Sequence, residues 1–415
     1  MTGQQNSTRH ILALNCGSSS LKFSVYVWNG SDAEFCCSGE AEEVGHDSSS
    51  FWFKRGDRKK EEKLAIPDHR AALRHAREVL QKQGLPLPDA VGHRFVHGGP
   101  KVREHCRITP EVRELLRGAA LFAPLHVPIA LSVLDEVEAR LPQVPQVACL
   151  DTAFHRNMPD VAQTLALPAD VRALGVERYG FHGLSIESIV ARLNPVPERL
   201  VVAHLGNGCS ITAIRNGVSV DTSMGLTPTG GILMGTRCGD LDPGVMLFLL
   251  RSGYSDGGKL ERIVDHESGL KGISGGTSDM RDLMGLRAQQ PNADLAIRMF
   301  CYQASKTIGA MAAALGGLDM LVFTGGIGEH AAEIRDAICS GLGFLGKCRM
   351  EVVPPGKICR LRAQPAGLPL DAYAAENGRE SCLRFRHAGQ RGSSEIDGTI
   401  ERQDDHPERQ RVSRS

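Results

Sequence analysis

Two stretches roughly half a chain apart follow one plan, and no other feature restricts the fold of this sequence as much. In the first, the apolar run Ile11 to Leu14 breaks into the polar turn Asn15 to Ser20 (NCGSSS), after which Leu21, Phe23, Val25 and Val27 alternate with Lys22, Ser24 and Tyr26. In the second, Val201 to Ala203 runs into His204, Leu205, Gly206, Asn207 and Gly208, and apolar alternation resumes at Ile211 and Ala213. Alternation with a period of two, broken by small polar residues, predicts a hairpin in each place. The second turn also suits an anion. Gly206 and Gly208 let backbone N–H groups approach a phosphate with no Cβ in the way, and Asn207 adds a neutral donor. Two such hairpins predict a pseudo-duplicated protein whose halves present phosphate-facing turns to one cleft.

Strands and helices alternate through the rest of the chain. Asp68 to Gln83 carries Leu73, Ala76, Val79 and Leu80, with Gly84 behind them, and predicts a helix closed by a glycine. Val91 to Val96 predicts a strand, Thr109-Pro110 a helix through Leu121, Pro128 a helix to about Arg140, and Val144 to Leu150 a buried strand ending at Asp151. A glycine-rich loop leads to Arg237 and Asp240, and Asp242-Pro243 reads as the N-cap and first turn of the next helix. A long helix is predicted over Asp294 to Leu315, and a strand over Met320 to Phe323 that runs into TGGIGEH and a further helix.

This alternation places the chain in the α/β class. Ligands of open α/β sheets gather at the carboxyl ends of strands, which singles out Asp151 and then His155. Arg237 offers a planar fork of donors on a loop near the second glycine turn, matched to carboxylate or phosphate oxygens, so the residues point to an enzyme that moves a phosphoryl group.

Composition excludes several alternatives. At 415 residues the chain is too long for one ordinary core, and two domains are expected. Lys+Arg and Asp+Glu both number 48, which gives no basic excess for a nucleic-acid or membrane surface. The 12 cysteines include no C-x-x-C pair, and the polar start MTGQQNSTRH has no apolar signal region. That pattern predicts reduced thiols in a soluble cytoplasmic protein. The longest weakly polar run, Ile308 to Leu318, is far short of the roughly 18 residues of a membrane span.

Nine blocks occur in a fixed order: NCGSSSLK (15–22), GHRFVHGG (92–99), APLHVP (123–128), DTAFH (151–155), YGFHGLS (179–185), HLGNG (204–208), GTRCGDLDPG (235–244), GISGGTSDMR (272–281) and FTGGIGEH (323–330). Together they closely resemble the acetate kinase family over residues 10 to about 346. The resemblance implies the actin-like, ribonuclease H-like ATPase fold shared with sugar kinases, actin and heat-shock ATPases. Two pseudo-duplicated domains, here 1–152 and 153–346, would enclose a nucleotide cleft, with 347–415 atypical. It also implies a homodimer and the reaction ATP + acetate ⇌ ADP + acetyl phosphate, with Mg²⁺ or Mn²⁺.

By matched position, the resemblance gives Asn15, Ser18, Ser20 and Lys22 to a first phosphate motif and His204, Gly206, Asn207 and Gly208 to a second. Gly325, Gly326, Ile327 and Gly328 correspond to the adenosine motif. Arg94 and Arg237 match the arginines that hold the carboxylate and the moving phosphoryl group, and His182 the histidine that steadies the transition state. Asp151 matches the aspartate that orients substrate and metal, so Asn15 and Asp151 are the expected metal ligands. Val96, Leu125, Phe181 and Pro228 match the pocket for the acetate methyl group. The chemistry is coherent, since phosphoryl transfer asks mainly for alignment and fixed positive groups, and an ionised carboxylate needs no general base.

The chain departs from the family at Val127, usually asparagine, and at Cys238, commonly serine. More seriously, nothing matches the closing I-P-T-[DE]-E-x-x-I-A-like signature whose glutamate helps hold Mg²⁺. After about Lys347 neither period persists, and from Gln390 onward only Ile396, Ile400 and Val412 are apolar, so a degenerate or frame-shifted and disordered end is expected. A propionate kinase or a catalytically impaired homologue is the alternative. Outside that class, Gly326, Gly328 and Ala331 form G-x-G-x-x-A, a poor dinucleotide fingerprint because no further βαβ unit is predicted after it. A non-catalytic ATP-binding module would need neither Arg237 nor Asp151. By themselves, Val96, Leu125 and Phe181 read as core, His126 as a structural histidine, Arg281 and Asp282 as a solvated ion pair, and His93, His97 and His155 as supporting residues.

Overall fold

Both hairpins form. In the computed structural model, which describes residues 8–30, 33–345, 361–362 and 372–375, β1 (Arg9–Cys16) pairs antiparallel with β2 (Ser20–Trp28), Asn15 opposite Lys22. β3 (Ala33–Glu42), β4 (Ser49–Arg55) and β5 (Arg58–Leu64) continue the meander. β6 (Ala90–Phe95), β7 (Cys106–Arg107) and β8 (Gln146–Leu150) complete an eight-stranded sheet of order β5-β4-β3-β2-β1-β6-β8-β7, in which β1, β6 and β8 run parallel. Its outer strand β5 reads RKKEEKL, a charged edge that discourages further pairing.

The second sheet repeats this plan. β9 (Arg199–Leu205) and β10 (Cys209–Arg215) form the second hairpin, and β11 (Val218–Thr222) pairs antiparallel with β10. β12 (Met320–Thr324) lies parallel to β9, and two short strands, β13 (Leu361–Arg362) and β14 (Ala372–Ala375), pair with β12, the latter in parallel. The five-strand series β3-β2-β1-β6-β8 and β11-β10-β9-β12-β14 therefore share order and direction. The duplication is one of topology, carried by the spacing of apolar residues.

Alternation decides which face each strand buries. Leu12 and Leu14 of β1 pack with Phe23 and Val25 against Ala72, Leu73 and Ala76 of the helix His69–Lys82 and Val133 and Val137 of the helix Val127–Arg140. Ile11 and Ala13 face the other way, toward Tyr26. In the second sheet Val201 and Ala203 meet Ala296, Phe300, Ala304 and Ile308 of the helix Pro291–Leu315. Leu200 and Val202 meet Ile186 and Ile189 of the helix Gly183–Arg192. Burial of aliphatic and aromatic side chains of this size contributes about 1.5 to 3 kcal/mol each.

Local signals placed most helix ends. Asp68 accepts from the Ala71 N–H at 2.7 Å, Thr109 caps Pro110–Gly118, and Asp242 caps Pro243–Arg251. The second of these gives way to a 3-10 turn, Ala119–Leu121, short of the single helix expected. The long helix begins at Pro291, three residues earlier than predicted, because a proline at the first position forgoes only an N–H that has no helical partner. TGGIGEH is itself helical at Gly325–His330, followed by Ala332–Ser340. Since β14 returns parallel to β12, the G-x-G-x-x-A run lies within a strand–helix–strand unit, and no further such unit follows it among the described residues. AYAA shows no alternation; an existing strand edge supplies its backbone bonds instead. The remainder of 347–415 lies outside the described residues. Among the described residues no helix is long and apolar enough to cross a membrane, and the nine described cysteines are free thiols.

Candidate active site

Three neighbouring parallel strands deliver three polar side chains at their carboxyl ends: Asn15 from β1, Arg94 from β6, and Asp151 immediately after β8. Arg94 Nε donates to both Asp151 oxygens at 3.0 and 3.1 Å, Nη2 makes a further short contact to Oδ2, and Nη1 donates to Asn15 Oδ1 at 2.8 Å. Burial pulls the guanidinium down, but the Asp151 carboxylate more than offsets this and its pKa ends above the usual arginine value. Asp151 is 2% exposed, and its backbone is held by Phe95 O and by the Gly183 N–H. This carboxylate is already engaged by a cation.

The second glycine turn faces this cluster. His182 sits in the left-handed region at φ 59°, immediately before Gly183–Arg192, and its Nδ1 lies 2.9 Å from Ser210 Oγ on β10. It stacks on His204 at 4.1 Å between centroids, and His204 Nδ1 is in turn 3.0 Å from Ser185 Oγ. Burial, then the neighbouring His204 and the two arginines, holds His182 well below the ordinary imidazole range; burial likewise pushes His204 down to about 4. Both rings are therefore neutral at pH 7. A Cβ at Gly208 would stand 3.2 Å from His182 Nε2 and 3.4 Å from Arg237 Nη1, so the two side chains flank one point on the turn. Gly208→Ala is expected to leave stability within about 1 kcal/mol while cutting turnover about tenfold or more, because misplacing such groups by a fraction of an ångström is costly. Steady-state kinetics beside a thermal melt would show it, and unchanged turnover would remove the turn from the site.

Arg237 donates to Pro228 O at 3.3 Å and its pKa is lowered, chiefly by burial, with Asp265 opposing. His126, the last residue before Val127–Arg140, is pushed down to about 4 by burial and then by Arg237 and Arg94, with Asp151 and Asp265 opposing. It belongs with the cluster, which its sequence context alone did not reveal.

Other expectations are redistributed. Lys22 pairs with the nearly buried Glu40 of β3 at 3.1 Å, an anchor invisible without the strand register, and Ser18 is exposed on the first turn. Gly325 packs on the second turn, where a Cβ would come within 2.6 Å of Leu205 O, and Gly326 N lies near Gly206. This brings the residues of the adenosine motif, with Ile327 and Gly328 on the same short helix, against the phosphate turn. Val96 and Phe181 lie buried in one core cluster, Leu125 is 39% exposed, and Pro228 contributes its carbonyl to Arg237. Arg281 does not pair with Asp282. Its partner is Asp279, at 2.6 Å, the N-cap of the helix Met280–Leu286, while Asp282 accepts from Thr277. His93 Nε2 bonds Gln146, and both ring nitrogens of His155 are engaged, with Ser219 and with Phe181 O.

Two sheets of one strand order, each presenting polar groups and a glycine turn at its carboxyl ends, define the actin-like ATPase fold. The model of the acetokinase family matches residues 10–352. The chain is 43% identical to the acetate kinase of Dictyoglomus thermophilum over 352 residues, 81% of this chain and 88% of the relative, and 41% identical to that of Rhodopseudomonas palustris over 348 residues, 81% and 87%. A crystal structure of Porphyromonas gingivalis acetate kinase superposes with a TM-score of 0.78 at 34% identity, covering 89% of this chain and 96% of that one. A propionate kinase from Francisella tularensis does so at 0.79 and 32%, with the same coverage. The chain belongs to the acetokinase family.

Proposed function

We infer that this protein is a phosphotransferase that reversibly moves the γ-phosphoryl group of ATP to acetate, giving ADP and acetyl phosphate. The observation that carries this reading is the meeting of Arg94, Asp151, His182 and Arg237 around the turn 206–208. Two anions react here against their mutual repulsion, and two arginines meet the charge. Asp151 orients Arg94 and takes no proton, because the substrate carboxylate is already ionised. The tautomer in which Ser210 donates to Nδ1 leaves the proton of neutral His182 on Nε2, facing position 208, and it is this form that serves as a fixed donor for a transition-state oxygen. Donors fixed in such a cleft are each worth about 3 to 4 kcal/mol of barrier. Ser18, Lys22, His204 and the amides of Asn207 and Gly208 hold the polyphosphate, Gly206 shapes the turn by donating its own N–H to Gly208 O at 3.1 Å, and Gly325 to Gly328 hold the nucleoside.

The Mg²⁺ or Mn²⁺ implied by the family fits as an ion that arrives with the nucleotide. Asn15 and Asp151 would hold it by hard oxygens that accept from Arg94 here and keep further lone pairs, and among the described residues no group of three His, Cys, Asp or Glu forms a cage. Such a donor pair suits an ion that keeps waters and phosphate oxygens. When bound, it neutralises charge on the phosphates.

Val96 and Phe181, with Leu125 and Pro228, form the wall for the acyl methyl group. The likeness to a propionate kinase favours propionate as the second substrate, since one methylene in an apolar pocket shifts preference by only about 1 to 3 kcal/mol. The family match ends at residue 352, so we also propose that the lack of a family-like closing segment impairs activity. ADP release with acetate, propionate and butyrate, on this chain and on one given a family-like C-terminus, tests these points. ATP binding without acyl phosphate from any of the acids on either chain would reject the enzyme reading.

We propose domains at 1–152 and 153–346, a cytoplasmic location consistent with free thiols, and a homodimer. The helix Pro243–Arg251 (PGVMLFLLR) buries none of its residues, and Val245, Leu247, Phe248 and Leu250 are exposed, Phe248 at 66%. An apolar helix face of this kind marks an interface. Leu247→Glu with Phe248→Glu is expected to halve the mass seen by light scattering; a dimer that survives both charges would place the contact elsewhere.

A further inference from the structure

We propose that Asp265 is a positioning residue for Arg237, acting through the turn that grips the arginine loop; this rests on the phosphotransferase reading above. Asp265 lies in a π-helical turn, Ile263–Glu267, whose wider winding is a local departure from the helix on which it follows. Turns of this type often re-aim a backbone at functional sites.

Here the turn holds the segment around Arg237 from both sides. Cys238 N donates to Val264 O at 2.9 Å, Ser268 N to Thr236 O at 3.0 Å, and Lys271 N to Gly235 O at 2.9 Å. Gly269, at φ 63°, passes so close beneath the loop that a Cβ would lie 2.7 Å from Arg237 O. The side chains tighten the same grip. Asp265 Oδ1 accepts from Thr229 Oγ1 at 2.5 Å, and its backbone oxygen accepts from Thr236 Oγ1 at 2.7 Å. Thr229 follows Pro228, whose carbonyl receives Arg237 Nη1. The Asp265 carboxylate thus ties down the residue beside that carbonyl and sets a negative charge that the half-buried guanidinium feels, while its backbone oxygen holds the residue before Arg237. Asp265 is the largest favourable influence on the charge of Arg237, ahead of Cys209, and it acts against burial and Arg94. No substrate contact is required of Asp265.

The test is a double-mutant cycle on the full chain, read as kcat/KM for acetate by hydroxamate detection of acetyl phosphate. Asp265→Asn keeps an acceptor for Thr229 and removes only the charge. It is expected to lower kcat/KM about 10- to 100-fold when Arg237 is present, and less than about twofold in an Arg237→Ala background, because coupled residues are not additive. The KM for ATP is expected to stay within about twofold in both. Asp265→Glu is expected to recover part of the loss. Equal losses in both backgrounds, or none in either, would overturn the proposal, as would a loss confined to thermal stability. Should Asp265→Asn fail to fold, Thr229→Val completes the same cycle with the same reading. A wild-type chain that makes no acyl phosphate would instead condemn the phosphotransferase reading, which keeps the two failures apart.

Discussion

An Arg94→Ala variant is expected to lose its activity together with a large part of its stability. Its guanidinium is the partner of Asp151, which is 2% exposed, and a donor to Asn15. Truncation leaves a buried carboxylate unpaired, which costs about 3 to 5 kcal/mol. It also removes a fixed positive group from the reacting anions, expected to lower kcat/KM by about 100- to 1,000-fold. The two effects separate in the double variant Arg94→Ala with Asp151→Ala. Taking away both charges is expected to return most of the stability, because the cost comes from the orphaned ion rather than from a lost bond. Activity is expected to stay lost. Urea unfolding and acyl phosphate formation measure the pair, and a double variant as unstable as the single one would contradict this account of the cluster.

Acid will weaken the fold earlier than the carboxylates alone would predict. His93, His97 and His155 are at most 2% exposed, and burial pushes each down to about 4. In the unfolded chain they titrate near 6.5. Between these values the unfolded state takes up protons that the folded state refuses, so stability is complete above about pH 7 and falls as the pH drops toward 4. Each such histidine contributes a slope of up to about 1.4 kcal/mol per pH unit. The three together imply a loss on the order of 3 to 4 kcal/mol between pH 7.5 and 5.5, and His126, His182 and His204, lowered in the same sense, add to it. Glu40 and Asp221, raised chiefly by burial, work in the opposite sense at lower pH. Denaturant unfolding at the two pH values checks the loss, and His93→Gln should flatten the curve by about one histidine's share. Equal stability at both values would mean that these rings charge freely in the folded state.

Much of this arrangement was legible before any coordinates. The hairpins were, because alternation and turn chemistry are local properties of the chain. Asp151 was, because a buried apolar run that stops at an aspartate marks a strand end. The partners were harder to read. Proximity in sequence pairs Arg281 with Asp282, yet the cap geometry of Met280–Leu286 aims Asp279 back at it. Nothing local links Glu40 to Lys22; only the β2–β3 register places them opposite each other. Asp265 carried no motif at all; its relation to Arg237 exists only where the π-helical turn and the arginine loop touch.

The sequence by itself determined the two hairpins, several helix caps, and which residues could meet an anion, since each depends on periodicity and on side-chain chemistry within a few positions. Tertiary structure alone decided which polar groups meet: Arg94 with Asp151 and Asn15, His182 with Ser210 and His204, and the Arg237 loop with the turn that carries Asp265. Those pairings link residues on different strands and turns. The energy of an ion pair or a stacked ring depends on ångström-scale separation and on exclusion of water, and both are set by how the two sheets and their connecting turns pack.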